Sequence, residues 1–449
     1  MLDNFFKFSA RNTDIKTEFV AGLTTFFAMS YILGVNPDLL ANANMPLNGV
    51  YFSTALATAI SCIIMGLLSN YPLGIAPGMG VNALFAITVV KTMGYSWKAA
   101  LAAVLLTTIL FFIITISGLR IKIIKAIPDV LHLAMGAGIG FFLAFIGIKN
   151  AGIIISNSTN IVGLSSLTSP APLLALLGIV ITLILYIRKI PGSIFLGLLI
   201  TSIIGLIFTS IGFGVNSPIQ MPTIPSHYIF LNFDTSTVFA FISGFKELFS
   251  GNINQLIMVI FSFIFFIFFD TTGTFIVLGK QGDFPKDEKG EYEGTDKGFL
   301  GIAISNIIGV ILGTSPLITY IESSAGVGAG GRTGLSTIFT GIFFLISMIF
   351  APTILSLFTP SVTAAALVVV GILMIGQLKE IDWDDFISLA TVFTTINMML
   401  LTSSIILGIA FGFIIYTITS IASGKAKELH KIGWILTIVF IYYILFGIK

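Results

Sequence analysis

The chain has 449 residues, 56% hydrophobic and only 9% charged, with a mean hydropathy of +1.05 and a formal net charge of +2. A soluble domain carries about 25% charged residues, so this composition argues against a soluble protein and for a polytopic helical membrane protein. Apolar segments of about 20 residues without polar alternation exclude a porin-like barrel, and a single cysteine, Cys62, excludes a disulfide framework or a cysteine-built metal cluster.

Residues 1–16 form a polar tail with Lys7, Arg11 and Lys16, expected in the cytosol and lacking the marks of a cleavable signal. Apolar runs then predict spans at 17–36, 48–69, 73–91, 97–118, 130–150, 171–187 and 192–213, the first half of the chain. A long outer connection follows at 214–253, with Pro218, Pro222, Pro225 and an amphipathic piece around Val238–Phe249. The second half, 254–422, holds spans at 254–278, 298–313, 315–332, 334–358, 361–378, 385–401 and 402–422. A charged stretch at 280–297 reads as a solvated cytosolic loop. The last region, 423–449, contains an apolar segment at 432–448, read as an interfacial or packed cytosolic-side helix, with a fifteenth span as the alternative.

Fourteen spans put both termini on one side. With the tail cytosolic, 18 of the 22 Lys and Arg fall on cytosolic segments, among them Arg120, Lys122, Lys125, Arg188, Lys189, Lys280, Lys286, Arg332, Lys425 and Lys427; Lys91, Lys98, Lys149 and Lys246 fall outside. The positive-inside rule therefore predicts cytosolic termini.

The tenth span, inside the stretch GTSPLITYIESSAGVGAGGRTG (313–334), cannot be a continuous lipid-facing helix. It carries Pro316, Glu322 and five glycines between Gly326 and Gly334. Irregular backbone at membrane depth survives only where protein or a water-filled cavity satisfies it. The reading is a broken span: an extended piece, Pro316–Tyr320, then a half-helix starting near Glu322 with Ser323 and Ser324 in its first turn. Its N–H groups and positive dipole end lie at membrane depth beside a carboxylate. Tyr71–Ala83 (YPLGIAPGMGVNA), at the third span, resembles Ser315–Gly328, and PGSIFLGLLITSII at 191–204 resembles SSIILGIAFGFII at 403–415. Their matching order, with seven spans per half, predicts an inverted seven-plus-seven repeat, all-α apart from short extended pieces in spans 3 and 10.

Three intramembrane polar positions stand out: Glu322, Asp270 in FSFIFFIFFDTTGTF, and Asn82, five residues past Pro77, which suits a first helical position. A carboxylate at the bilayer centre costs about 3 kcal/mol on insertion scales, so it faces a cavity or a partner. The competing reading is structural: acids held by serines or helix ends, an amide tying helices together. GVGAGGRTG lacks the Lys-Ser/Thr pair of a phosphate loop, and its glycines read as close helix packing. Arg332 is read as an anchor for the cytosolic end of the half-helix. His132 reads as packing rather than a proton relay, and Asp382, Asp384 and Asp385 as caps of the next helix. Of the aromatics, Phe27, Tyr31, Phe85 and Tyr320 lie nearest a flat site by position.

The runs NTDIKTEFVAGLTTFFAMSYILGVNP, APGMGVNA, FFDTTGTF and TYIESSAGVGAGGRTGLS, with the later IDWDDF, resemble the AzgA-like purine permeases of the nucleobase–cation symporter-2 (nucleobase–ascorbate) group over nearly the whole chain. The resemblance implies a fourteen-span inverted repeat with core and gate domains in the cell membrane, half-helices of the third and tenth spans meeting at the substrate, and proton-coupled uptake of adenine, guanine or hypoxanthine. The family's binding residues fall on Asn82, Asp270 and Glu322, with Asp270 and Glu322 in proton coupling. A purine offers adjacent N–H donors to a carboxylate, and helix-start groups near Gly78, Gly80, Ser323 and Ser324 suit its ring nitrogens and carbonyl. The expected partners are purine, proton and lipid; a homodimer is left open, and no nucleic acid, metal or cofactor is implied. The rivals are a uracil or xanthine permease of the same fold, and an anion transporter of the sulfate-permease architecture. A membrane-embedded enzyme lacks a legible nucleophile–base pair.

Overall fold

Many helices start where a side chain or a proline resolves the unsatisfied N–H groups of a first turn. Asp14 accepts from Thr17 N at 2.7 Å ahead of Ile15–Met29, Ser96 from Ala99 N at 3.2 Å ahead of Trp97–Ile116, and Asp385 from Ser388 N at 3.0 Å ahead of Phe386–Thr402. Proline opens Pro170–Ile187 and Pro360–Ile375. The computed structural model describes residues 2–119, 128–157, 161–225, 227–229, 233–286, 290–426 and 429–446. Arg120, Lys122, Lys125 and Lys427 lie outside the described residues.

Among the described residues, eleven helical stretches are long and apolar enough to cross a membrane: Ile15–Ala41, Leu47–Ser69, Trp97–Ile116, Asp129–Asn150, Pro170–Ile187, Ser193–Ser210, Ile253–Gln281, Thr295–Leu312, Gly334–Leu357, Pro360–Glu380 and Ile405–Ala422. Met79–Thr92, Phe386–Thr402 and Gly433–Leu445 are shorter apolar helices. The protein is therefore a mostly helical, multi-pass membrane protein.

Several local expectations change. The first span does not end at Asn36. It bends near Ser30–Tyr31 and resumes as Ile32–Ala41, passing through Pro37. Pro77 is not the first residue of a helix but the last of a strand, Ile75–Pro77; the helix begins at Met79 and passes into a π-helical turn over Leu84–Thr92. The chain is also not strictly all-α. Besides the expected extended pieces it has a hairpin, Ile154–Asn157 with Ile161–Leu164, between the helices Asp129–Asn150 and Pro170–Ile187. The C-terminal helix, Lys431–Phe446, runs antiparallel beside Ile405–Ala422, with Thr417 and Thr437 hydroxyls 2.7 Å apart and Phe413 and Phe440 rings at 5.2 Å.

The helices pack in two groups. One joins Ile15–Ala41, Leu47–Ser69, Trp97–Ile116, Ile253–Gln281, Thr295–Leu312 and Gly334–Ser347. The other joins Asp129–Asn150, Pro170–Ile187, Ser193–Ser210, Pro360–Ile375, Phe386–Thr402 and Ile405–Ala422. Glycine permits the closest crossings, as in other membrane helix pairs. A Cβ on Gly140 or Gly371 would run into the other's carbonyl oxygen, and Gly66 and Gly334 meet in the same way.

The tail does not hang free. Phe6 and Phe8 are buried against Leu335, Arg11 donates to the carbonyls of Asn70 (2.6 Å) and Arg332 (2.9 Å), and Lys7 pairs with Glu293 of the charged loop at 3.1 Å. Glu18, fully buried, accepts from Arg332 N (2.9 Å), Ser336 N (3.1 Å) and Thr13 Oγ1 (2.9 Å), so it serves the start of Gly334–Ser347.

Candidate substrate site

Two broken segments meet in the first helix group. Pro77 and Pro316 each disfavour a helical conformation at the residue before them, and both segments enter their helices as extended chain. The strands Ile75–Pro77 and Leu317–Thr319 pair antiparallel, Ile75 opposite Thr319, Ala76 opposite Ile318, Pro77 opposite Leu317. The ladder extends by Gly78 N to Pro316 O (3.1 Å) and Tyr320 N to Gly74 O (3.0 Å). Pro77 fits because a two-stranded ribbon has a free edge that asks for no N–H donor. Past the ribbon, one chain turns into Met79–Ala83 and the other into a 3₁₀ turn, Ile321–Ser323, followed by Ser324–Gly328. Arg332 donates to the carbonyls of Val327 and Gly331, both at 2.8 Å, and so anchors the far end of that second half-helix as expected.

Glu322 lies in the 3₁₀ turn, half-buried, and Tyr31 Oη donates to its Oε1 at 2.7 Å. Ile321 beside it is 45% exposed, so this face of the turn is open. Asp270 stands on Ile253–Gln281, close enough to Glu322 for the two carboxylates to interact, and its buried Oδ2 has no hydrogen-bond partner. The structure thus brings Glu322 and Asp270 together, with Tyr31 and Tyr320 alongside at a ring separation of 6.4 Å. The Tyr320 hydroxyl is spent on the Pro77 carbonyl. Phe85 is fully buried in the core, and Phe27 packs against Phe195 at 5.8 Å. His132 packs against Phe269 with ring centroids 3.6 Å apart and planes tilted by 33°, the packing role read from the sequence.

Other predicted residues are committed to the protein itself. Asn82 donates to Asn36 Oδ1 at 2.6 Å and accepts from Ser315; Asn36 in turn donates to Thr54 at 2.7 Å. Ser323 Oγ accepts from Gly74 N at 2.9 Å, a cross-link between the two broken segments. The Gly78 N–H is spent on Pro316, while the first intrahelical bond, Asn82 N to Gly78 O at 2.8 Å, leaves the N–H groups of Met79, Gly80 and Val81 ahead of it. Gly80 has a packing reason: a Cβ there would press on Ile139 and Phe266.

Sequence reasoning missed Asn36 and Asp38, which belong to the helix resumed after Tyr31. Asp38 Oδ2 accepts from Thr363 Oγ1 at 2.9 Å, across the boundary between the two helix groups. Gly34, one turn earlier, lies so close to Phe358 that a Cβ would stand 2.6 Å from its ring. Asn36-Pro37-Asp38 is the signal, polar residues around a proline at the end of an apolar run. Among the described residues, no three His, Cys, Asp or Glu stand together as metal ligands.

Broken helices whose starts meet inside a packed helix group, beside buried acids, are an arrangement typical of membrane transporters. Residues 16–414 match the profile of the Permease family (Xan_ur_permease). The chain belongs to that permease family. It is 41% identical to the guanine/hypoxanthine permease PbuG of Bacillus subtilis (99% of this chain, 100% of the relative). It is 36% identical to the adenine permease AdeQ of Escherichia coli (96% and 93%). Among solved structures it shares its fold with the transmembrane domain of the cyanobacterial bicarbonate transporter BicA (TM-score 0.64, 14% identity, 87% of this chain and 97% of that one). Murine Slc26a9 in the inward-facing state is similar as well (TM-score 0.60, 12% identity, 91% and 68%).

Proposed function

We propose that this protein imports purine nucleobases (adenine, guanine, hypoxanthine) across the cell membrane by proton symport with alternating access. The relatives' activities support the substrate class, being those of guanine/hypoxanthine and adenine permeases matched over nearly their full length. One observation carries the reading: a half-buried carboxylate at a membrane-depth helix start, with one oxygen on a phenol and a second acid nearby. Glu322 is the acceptor for a ring N–H, helix-start donors serve the ring nitrogens, and Asp270 is the proton carrier. An anion at the same place would meet two carboxylates that offset the dipoles of the half-helices, so the fold shared with bicarbonate and other anion transporters does not carry over as substrate.

The proposed architecture is fourteen segments in two inverted repeats of seven, ahead of the C-terminal helix. Its support is order: in each half, four segments of the first helix group precede three of the second. The antiparallel ribbon and the Gly140–Gly371 crossing join equivalent positions of the two halves. The first group then acts as the core and the second as the gate. With the tail and the 280–297 loop cytosolic, Asp38–Thr363 and Gly34–Phe358 close the outer side of the site, and the open face at Ile321 looks inward.

The test is Glu322→Gln. The amide presents a donor where an acceptor stood, leaving a buried group unpaired at about 1–3 kcal/mol, so purine affinity of the purified protein falls roughly fivefold to 150-fold. Unchanged affinity makes Glu322 structural. Competition by unlabelled uracil or xanthine as strong as that by adenine, guanine and hypoxanthine would overturn the substrate assignment.

A further inference from the structure

We infer that Tyr31 is a positioning residue for recognition: its phenol fixes Oε1 of Glu322 and so dictates that Oε2 meets the substrate. The inference rests on Glu322 being the acceptor for the base. Tyr31 lies at the bend of the first span, between Ile15–Met29 and Ile32–Ala41, and only 1% of it is exposed. Its backbone carbonyl accepts from Gly34 N (3.1 Å) and Val35 N (3.0 Å), so the residue is pinned into the start of the resumed helix. Its phenol donates to Glu322 Oε1 at 2.7 Å. A glutamate has three rotatable bonds and loses rotamer freedom when it is ordered on a ligand. Here the phenol orders it beforehand, the general route by which a site gains affinity from a neighbour that never touches the ligand.

Occupying one oxygen also fixes polarity. A carboxylate is an acceptor at both oxygens, and with Oε1 held by an O–H, Oε2 is the oxygen left for a ligand. The Tyr320 hydroxyl cannot replace this donor, because it is committed to the Pro77 carbonyl. When Glu322 becomes glutamine, the same phenol holds the amide oxygen and turns the NH₂ toward the base. Loss of the phenol hydroxyl then frees that amide to rotate its oxygen to the substrate.

This gives a sign reversal that a structural role does not produce. Guanine binding to purified, monodisperse protein is measured by calorimetry for the parent, Tyr31→Phe, Glu322→Gln and the double variant. Tyr31→Phe keeps the ring, and a melting curve verifies folding. In the parent background Tyr31→Phe weakens guanine about tenfold, one lost charge-assisted bond. In the Glu322→Gln background the same change causes no further loss, or recovers affinity. Equal losses in both backgrounds, or no loss in either, overturn the role of Tyr31 while leaving Glu322 as the acceptor. Unchanged binding in Glu322→Gln alone overturns the recognition reading and this inference with it.

Discussion

Thr363→Val removes one hydroxyl at nearly constant volume, and that hydroxyl is the donor to Asp38 Oδ2 at 2.9 Å. Thr363 is fully buried on Pro360–Ile375, while Asp38 belongs to the other helix group. The bond therefore exists only while the two groups are together at this point, the outer side in the proposed orientation. A hydrogen bond to a charged group contributes about 1.5–3 kcal/mol, so its loss shifts the equilibrium toward the outward-open state by roughly tenfold to about 150-fold. Apparent affinity scales with the fraction of molecules in the binding-competent state. In proteoliposomes of defined orientation, the half-saturating purine concentration on the outer side should drop by up to that factor, and the one on the cytosolic side should rise. Unchanged values on both sides would refute the outer-closure role of this bond. Improvement on the cytosolic side would refute the orientation.

Three further outcomes follow from the same geometry. Asp270→Asn should fold and bind purine but fail to accumulate it against a gradient; a variant that still concentrates substrate removes Asp270 from the proton path. Cysteines placed at Asp283 or Glu291 in the charged loop should resist impermeant thiol reagents added outside intact cells, and efficient labelling there would invert the topology. Asp385 is held below the usual carboxylate range, chiefly by the Ser388 hydroxyl at 2.8 Å. A lowered folded-state value means the cap stabilises at neutral pH and weakens as pH falls through that value. Asp385→Ala should thus cost about 1 kcal/mol at pH 7, with the gap in thermal stability closing in acid; a gap independent of pH would contradict it.

What could be read in advance was what depends on residues close in sequence. Pro316 followed by Glu322-Ser323-Ser324 marked a break and a helix start, because proline conformation and first-turn chemistry are local. Pro77 was misplaced because the partner that holds it extended, Leu317, lies in the other half of the chain. Asp38 escaped notice since a helix was expected to stop before Pro37, whereas a tightly packed first span carries the helix through it. The bond of Tyr31 to Glu322 spans 291 residues, and no periodicity in the sequence encodes it. Glu18 takes its backbone donors from Arg332 and Ser336, more than 300 residues away, and no local pattern encodes that.

The ribbon at the centre has a consequence for biogenesis. Gly74 and Ser323, cross-linked at its edge, are 249 residues apart. While the ribosome is still extending the second half, the first half already holds Ile75–Gly78 at membrane depth with peptide groups lacking their partners. Each such group is costly in an environment without water. The first half can enter the bilayer but cannot settle there by itself, and the final fold closes only after synthesis has passed residue 320. Until then the nascent chain is a natural client for the insertion machinery and for the proteases that remove unpaired halves. A lesion in either strand would lower the amount of protein in the membrane before it changed any property of transport.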